Sequence, residues 1–96
     1  MTNEKIMTLH PQGKAGVNID KAKYDMIRTA ILASIVDNEG EIAFKDLATA
    51  VTNHLSLPFA GSIGWYTTTV KLDLEARGEI ERIPKTSPQR LRLKQG

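Results

Sequence analysis

Few residues in this chain are spaced for reaction chemistry. His10 and His54 stand far apart, and neither has a Cys, Asp or Glu at metal-ligand spacing. Gly13-Lys14-Ala15-Gly16 contains a glycine–lysine pair. It lacks the earlier spaced glycine and the following Ser or Thr of a phosphate-cradling loop, so it reads as a turn. Ser62 has no base placed by the sequence, and Asp73 and Glu75 fall on different faces of one helix. There is no cysteine, which excludes thiol catalysis, disulfides and cysteine zinc sites. The expectation is a protein without catalytic residues, metal, cofactor or small-molecule ligand.

Binding chemistry is better represented. Arg82, Lys85, Arg90, Arg92 and Lys94 lie in a C-terminal stretch free of acidic residues, although the net charge of the chain is only +2. These cations are suited to DNA phosphates, with a salt-dependent affinity. On the helix that precedes them, Ser62, Trp65, Thr67, Thr68 and Lys71 take the positions that would meet base edges in the major groove. That helix has no Arg before Arg77 and no Asn or Gln, the types that with Lys make the commonest specific base contacts. The competing expectation is a protein interface, possible because Trp65, Thr69, Leu72 and Ala76 share a side of the same helix. The bland alternative packs Trp65 against the C-terminal hairpin or the N-terminal arm.

The elements that must position these residues follow from periodicity. Lys5–Leu9 alternates as a short strand, His10–Gly16 forms a turn, and Val17 and Ile19 return, giving an N-terminal hairpin or arm over residues 1–19. Asn18 or Asp20 caps a first helix over Lys21–Asp37, with Tyr24, Ile27, Ile31 and Ser34/Ile35 inward and Gly40 past its end. Glu41–Ala43 is a link or minimal strand. A second helix over Phe44–Leu55 turns Leu47, Ala48, Val51 and Leu55 to one face, with Ala43 where a capping side chain is expected. A loop with two apolar residues, Leu57 and Phe59, follows, and Phe59 turns inward. The third helix starts after Ser62 and ends near Gly78, its stripe Ile63, Tyr66, Val70 and Leu74 facing the core. Glu79–Pro84 and Gln89–Lys94 close the chain as two strands.

Val70-Lys71-Leu72-Asp73-Leu74-Glu75-Ala76-Arg77-Gly78-Glu79-Ile80-Glu81-Arg82-Ile83 resembles the junction of recognition helix and wing in winged-helix regulators. Phe44-Lys45-Asp46-Leu47-Ala48 resembles the second helix of that fold. The resemblance implies an α+β winged helix, a three-helix core with a C-terminal two-stranded wing, over residues 20–96. Gly13–Ile19, Gly61–Tyr66 and Lys71–Arg77 are similar to a small bacterial family of uncharacterised single-domain winged-helix proteins, which implies the fold and no activity. The function this suggests is DNA binding of the transcription-regulator type. The alternative is a protein-interaction module, as a homodimer or with another partner, in which a dimer would use the arm or the first helix.

At 96 residues the chain has the size of one domain with a modest core. Its 41% hydrophobic and 25% charged residues are ordinary for a globular protein. Met1–Lys5 is polar and lacks the apolar segment of a signal peptide, and no apolar run approaches membrane-span length. A cytoplasmic location without membrane association is expected.

Overall fold

The computed structural model describes residues 4–56 and 58–94. Residues 1–3, Leu57, which was expected in the apolar loop, and Gln95 and Gly96 lie outside the described residues.

The chain opens with β1 (Lys5–Met7) and β2 (Asn18–Asp20), an antiparallel pair in which Ile6 faces Ile19. The expected arm is therefore a hairpin. Helix α1 (Lys21–Asp37) follows at once, capped by Asp20, whose carboxylate accepts from the Ala22 amide at 3.2 Å. Of the two candidate caps, Asp20 takes the role and Asn18 stays in the strand. Strand β3 (Glu41–Ala43) leads into helix α2 (Phe44–His54). Ala43 supplies no side-chain cap. Instead the Phe44 amide donates to the Gln89 carbonyl at 2.8 Å, so the residue just before the last strand satisfies one of the amides a helix start leaves open.

Helix α3 (Ile63–Ala76) is capped by Ser62, whose Oγ accepts from the Trp65 amide at 3.1 Å. Its other end needs a left-handed residue. Gly78 provides it at φ 76°, with its amide donating to the Glu75 carbonyl and that of Glu79 to the Leu74 carbonyl. The turn sends the chain into β4 (Ile80–Arg82) and β5 (Arg90–Leu93). Strand β5 lies between β3 and β4 and is antiparallel to both, with Leu91 opposite Ile42 on one side and Arg82 on the other.

Ile27, Ile31 and Ile35 from α1, Leu47 and Val51 from α2, and Val70 and Leu74 from α3 are fully buried, and Ile42, Ile80 and Leu91 close the core from the sheet. Each such side chain contributes roughly 1.5–3 kcal/mol relative to exposure. Among the described residues the protein is thus an α+β domain of three helices and two small antiparallel sheets.

Candidate interaction surface on helix α3

At 100° per residue, α3 turns Ile63, Val70 and Leu74 to the core and Trp65, Thr68, Leu72 and Ala76 to the opposite side. Thr68 is exposed, Leu72, Ala76 and Thr69 are partly exposed, and Trp65 keeps 47% of its surface accessible. Ser62 is exposed too, with its hydroxyl engaged in the helix cap.

Two residues expected at a DNA-facing surface are not there. Thr67 is buried at 1% exposure, because it falls beside Val70 and Leu74 on the helix circumference. Lys71 is buried at 2%. Its ammonium lies 4.5 Å from the centre of the Phe44 ring and 2.7 Å from Glu75 Oε1, and Arg82 Nε is 3.4 Å from the other Glu75 oxygen. Burial lowers the Lys71 ammonium below the ordinary lysine value, against the opposing pull of Glu75. Lys71 ties α3 to α2 and cannot reach a phosphate from there.

The C-terminal cations are mostly spoken for. Arg90 Nε lies 3.0 Å from Glu41 Oε1, Arg92 Nε lies 2.7 Å from Glu81 Oε2, and Arg82 shares Glu75 with Lys71. Leu91 points inward, so Arg90 and Arg92 project from the opposite face of β5, within reach of glutamates on β3 and β4. Of the five candidate phosphate contacts, Lys85 and Lys94 have no acidic partner among the described residues.

The arm hairpin covers one flank of α3. Thr8 is buried and locks the hairpin, accepting from the Val17 amide at 2.9 Å and donating to the Val17 carbonyl at 3.1 Å. The next amide, that of Leu9, donates to Asp73 Oδ1 at 2.8 Å. Asp73 is completely buried, and its carboxylate also accepts from the Tyr24 hydroxyl and from Arg77 Nε. One carboxylate therefore joins the arm, α1 and α3. Burial and the Asp73 charge hold the Tyr24 phenol well above the usual tyrosine range.

Docking of the arm leaves two clefts with Trp65 between them. One, of about 140 Å³, is walled by Leu9, Val17, Trp65, Thr69 and Leu72. The other, of about 450 Å³, is polar and lined by Lys5, Asn18, Asp20, Lys23, Trp65 and Tyr66. Trp65 sits edge-on to Tyr66, and Tyr66 edge-on to Phe59, each pair with centroids 5.0 Å apart. The indole is thus propped on one side by Tyr66, faces the arm across the apolar cleft on the other, and stays half open. Of the expected interface residues, Trp65, Thr69 and Leu72 line the apolar cleft; Ala76 is further along the helix. Leu9, Val17, Lys5 and Lys23 were not singled out by sequence. The one available signal was the apolar alternation of the arm at Met7, Leu9 and Val17, which fits an inward strand equally well.

Both histidines have structural partners: His10 Nδ1 accepts from the Gln12 amide, and His54 Nε2 lies 3.0 Å from Asp37 at the end of α1. No grouping of three or more metal-ligating side chains occurs among the described residues, and no described helix is long and apolar enough to cross a membrane. Comparison with curated proteins and with solved structures gives no match. The model of a family of unknown function, DUF6958, matches residues 5–91, and the chain therefore belongs to that family.

Proposed function

We propose that this protein is a non-enzymatic binding module of winged-helix architecture whose third helix docks a protein partner. The architecture is supported by the order α1, β3, α2, α3, β4, β5, and by β3 pairing with β5. One observation carries the choice of partner. Among the described residues, four of the five exposed large hydrophobics, Met7, Leu9, Val17 and Trp65, belong to the arm or to α3, and three of them border one apolar cleft. The outward side of α3 offers an indole, an isobutyl group and small side chains, where base reading calls for Arg, Lys, Asn or Gln. A peptide library displayed on phage and selected on the wild-type protein tests this. Enriched peptides should lose binding to Trp65→Ala and to Leu72→Asp, both with unchanged circular dichroism. Enrichment indifferent to both substitutions sinks the proposal.

Binding to double-stranded DNA is the second reading, and the unpaired Lys85 and Lys94 favour it. Its test is titration with random duplex DNA at low salt. No binding there removes it, because even non-specific contact carries an electrostatic component.

A further inference from the structure

Resting on the protein-docking reading, we propose that the two clefts beside Trp65 form one bipartite site for an acidic amphipathic peptide. An apolar side chain of the peptide enters between Leu9, Val17 and Leu72, and a carboxylate on the far side of Trp65 meets Lys5 and Lys23. The apolar cleft, at about 140 Å³, has the size for one side chain. It is well below the roughly 300–1,000 Å³ typical of small-molecule pockets. The second cleft is larger but open and polar-walled.

Charge selects the occupant. Lys5 is exposed and Lys23 partly so, and neither has an acidic partner among the described residues, whereas the neighbouring Lys21 is paired with Asp25 at 2.9 Å. Lys23 is held in place, its ammonium 5.5 Å from the Tyr66 ring centre and 5.7 Å from that of Phe59. The one acid in the lining, Asp20, caps α1 and keeps its charge opposite Lys5, so two ammonium groups stand against one carboxylate. The polar cleft therefore keeps one net positive charge for an incoming carboxylate, next to an aromatic wall shared with an apolar slot. A second copy of the chain fits poorly. Symmetric pairing through so small a patch brings lysines against lysines. Nucleic acid would satisfy the lysines and leave the Leu9–Val17–Leu72 slot unused.

Trp65 is the single tryptophan of the chain, so its emission reports directly on the site. It is titrated with three synthetic amphipathic helical peptides, one Leu/Glu, one Leu/Lys and one Ala/Glu, and with a short duplex DNA. The Leu/Glu peptide is expected to shift the emission to the blue and to bind about tenfold or more tighter than the other two peptides. Lys5→Glu/Lys23→Glu is expected to reverse the preference between Leu/Glu and Leu/Lys, and Lys5→Glu alone, on the exposed β1, to weaken it with the fold intact. Equal binding of Leu/Glu and Leu/Lys overturns the acidic partner while the docking reading stands. Failure of every peptide to move Trp65 overturns both. DNA that shifts Trp65 where peptides do not transfers the site to nucleic acid, and a blue-shifted dimer in sedimentation without peptide transfers it to a second copy.

Discussion

At the scale of single residues, Asp73 matters most to the geometry of the surface. Its buried carboxylate accepts from the Leu9 amide, the Tyr24 hydroxyl and Arg77, so removing it strands donors from three elements at once. Arg77 is about one-third exposed and can turn to water, but the Tyr24 hydroxyl is buried and cannot do so freely. Asp73→Ala is expected to cost about 2–4 kcal/mol in urea unfolding. Asp73→Asn, which keeps one acceptor, should cost less. The same cluster sets an alkaline limit. The folded chain holds the Tyr24 phenol above its ordinary pKa of 10.0. Below that value both states keep the proton and the full contribution is present. As pH rises further, the unfolded chain releases the proton first, and stability falls by at most about 1.4 kcal/mol per pH unit. Lys71 runs the other way, since its folded pKa is lowered and the cost of burying its charge fades with rising pH. The clean measurement is therefore a comparison. The stability gap between wild type and Tyr24→Phe should shrink between about pH 9 and pH 11, and a constant gap would show that the phenol is not held protonated by the fold.

At the scale of elements, the arm is a hairpin closed by one tight crossing. A Cβ on Gly16 would lie 1.7 Å from the Thr8 carbonyl oxygen, an impossible approach. Gly16→Ala should therefore spread the hairpin beyond β1 and β2, release the Leu9 amide from Asp73 and open the apolar cleft. The expected cost is roughly 1–3 kcal/mol, with Trp65 more accessible to acrylamide quenching and the helical circular dichroism retained. Helix α1 carries a smaller liability. Gly40 takes the left-handed backbone expected of it at φ 93°, but Glu39 before it is left-handed too at φ 62°, with amides 39 and 40 bonded back to Val36 and Ile35. Glu39→Gly should raise stability by roughly 0.5 kcal/mol, the steric relief of about 1–2 kcal/mol less the flexibility added to the unfolded chain. The helices were legible in the sequence because their buried faces recur at 3.6 residues: α1 matches its expected bounds, and α2 and α3 end a residue or two early. The pairing of β3 with β5 was not legible, since three residues carry no usable periodicity and the partners are far apart in the chain. Asp73 was unreadable for a related reason. Its partners lie on α1 and on the arm, and local spacing along α3 says nothing of either.

At the scale of the whole molecule, a count of charges and a map of charges give different answers. The sequence places five cations in the C-terminal stretch with no acid among them, which suggests a strongly basic hairpin. Folding brings Glu41 from β3 to Arg90, Glu81 from β4 to Arg92 and Glu75 from α3 to Arg82, so three of the five arrive at the surface already paired. Lys71, a sixth expected contact, is inside. What remains on that hairpin for a polyanion is Lys85 and Lys94. Each neutralised phosphate contributes about −0.9 to the slope of log affinity against log salt concentration. Non-specific binding to duplex DNA through this hairpin should then show a slope near −2, where five free cations would give one beyond about −4. Freeing the arginines is the decisive control. Glu41→Gln and Glu81→Gln each release one guanidinium, and the double variant should steepen the slope by about 2 and raise affinity at low salt. The pairs are partly exposed and worth about 1 kcal/mol or less apiece, so neither substitution should endanger the fold. A wild-type slope already near −4, unchanged in the double variant, would mean that phosphates displace the glutamates and that the pairing does not shield the hairpin. A slope near −2 that steepens on substitution would mean that this fold carries its own counter-charges and leaves the face of α3, with Trp65 near its N-terminal end, as the surface with the strongest chemical preference.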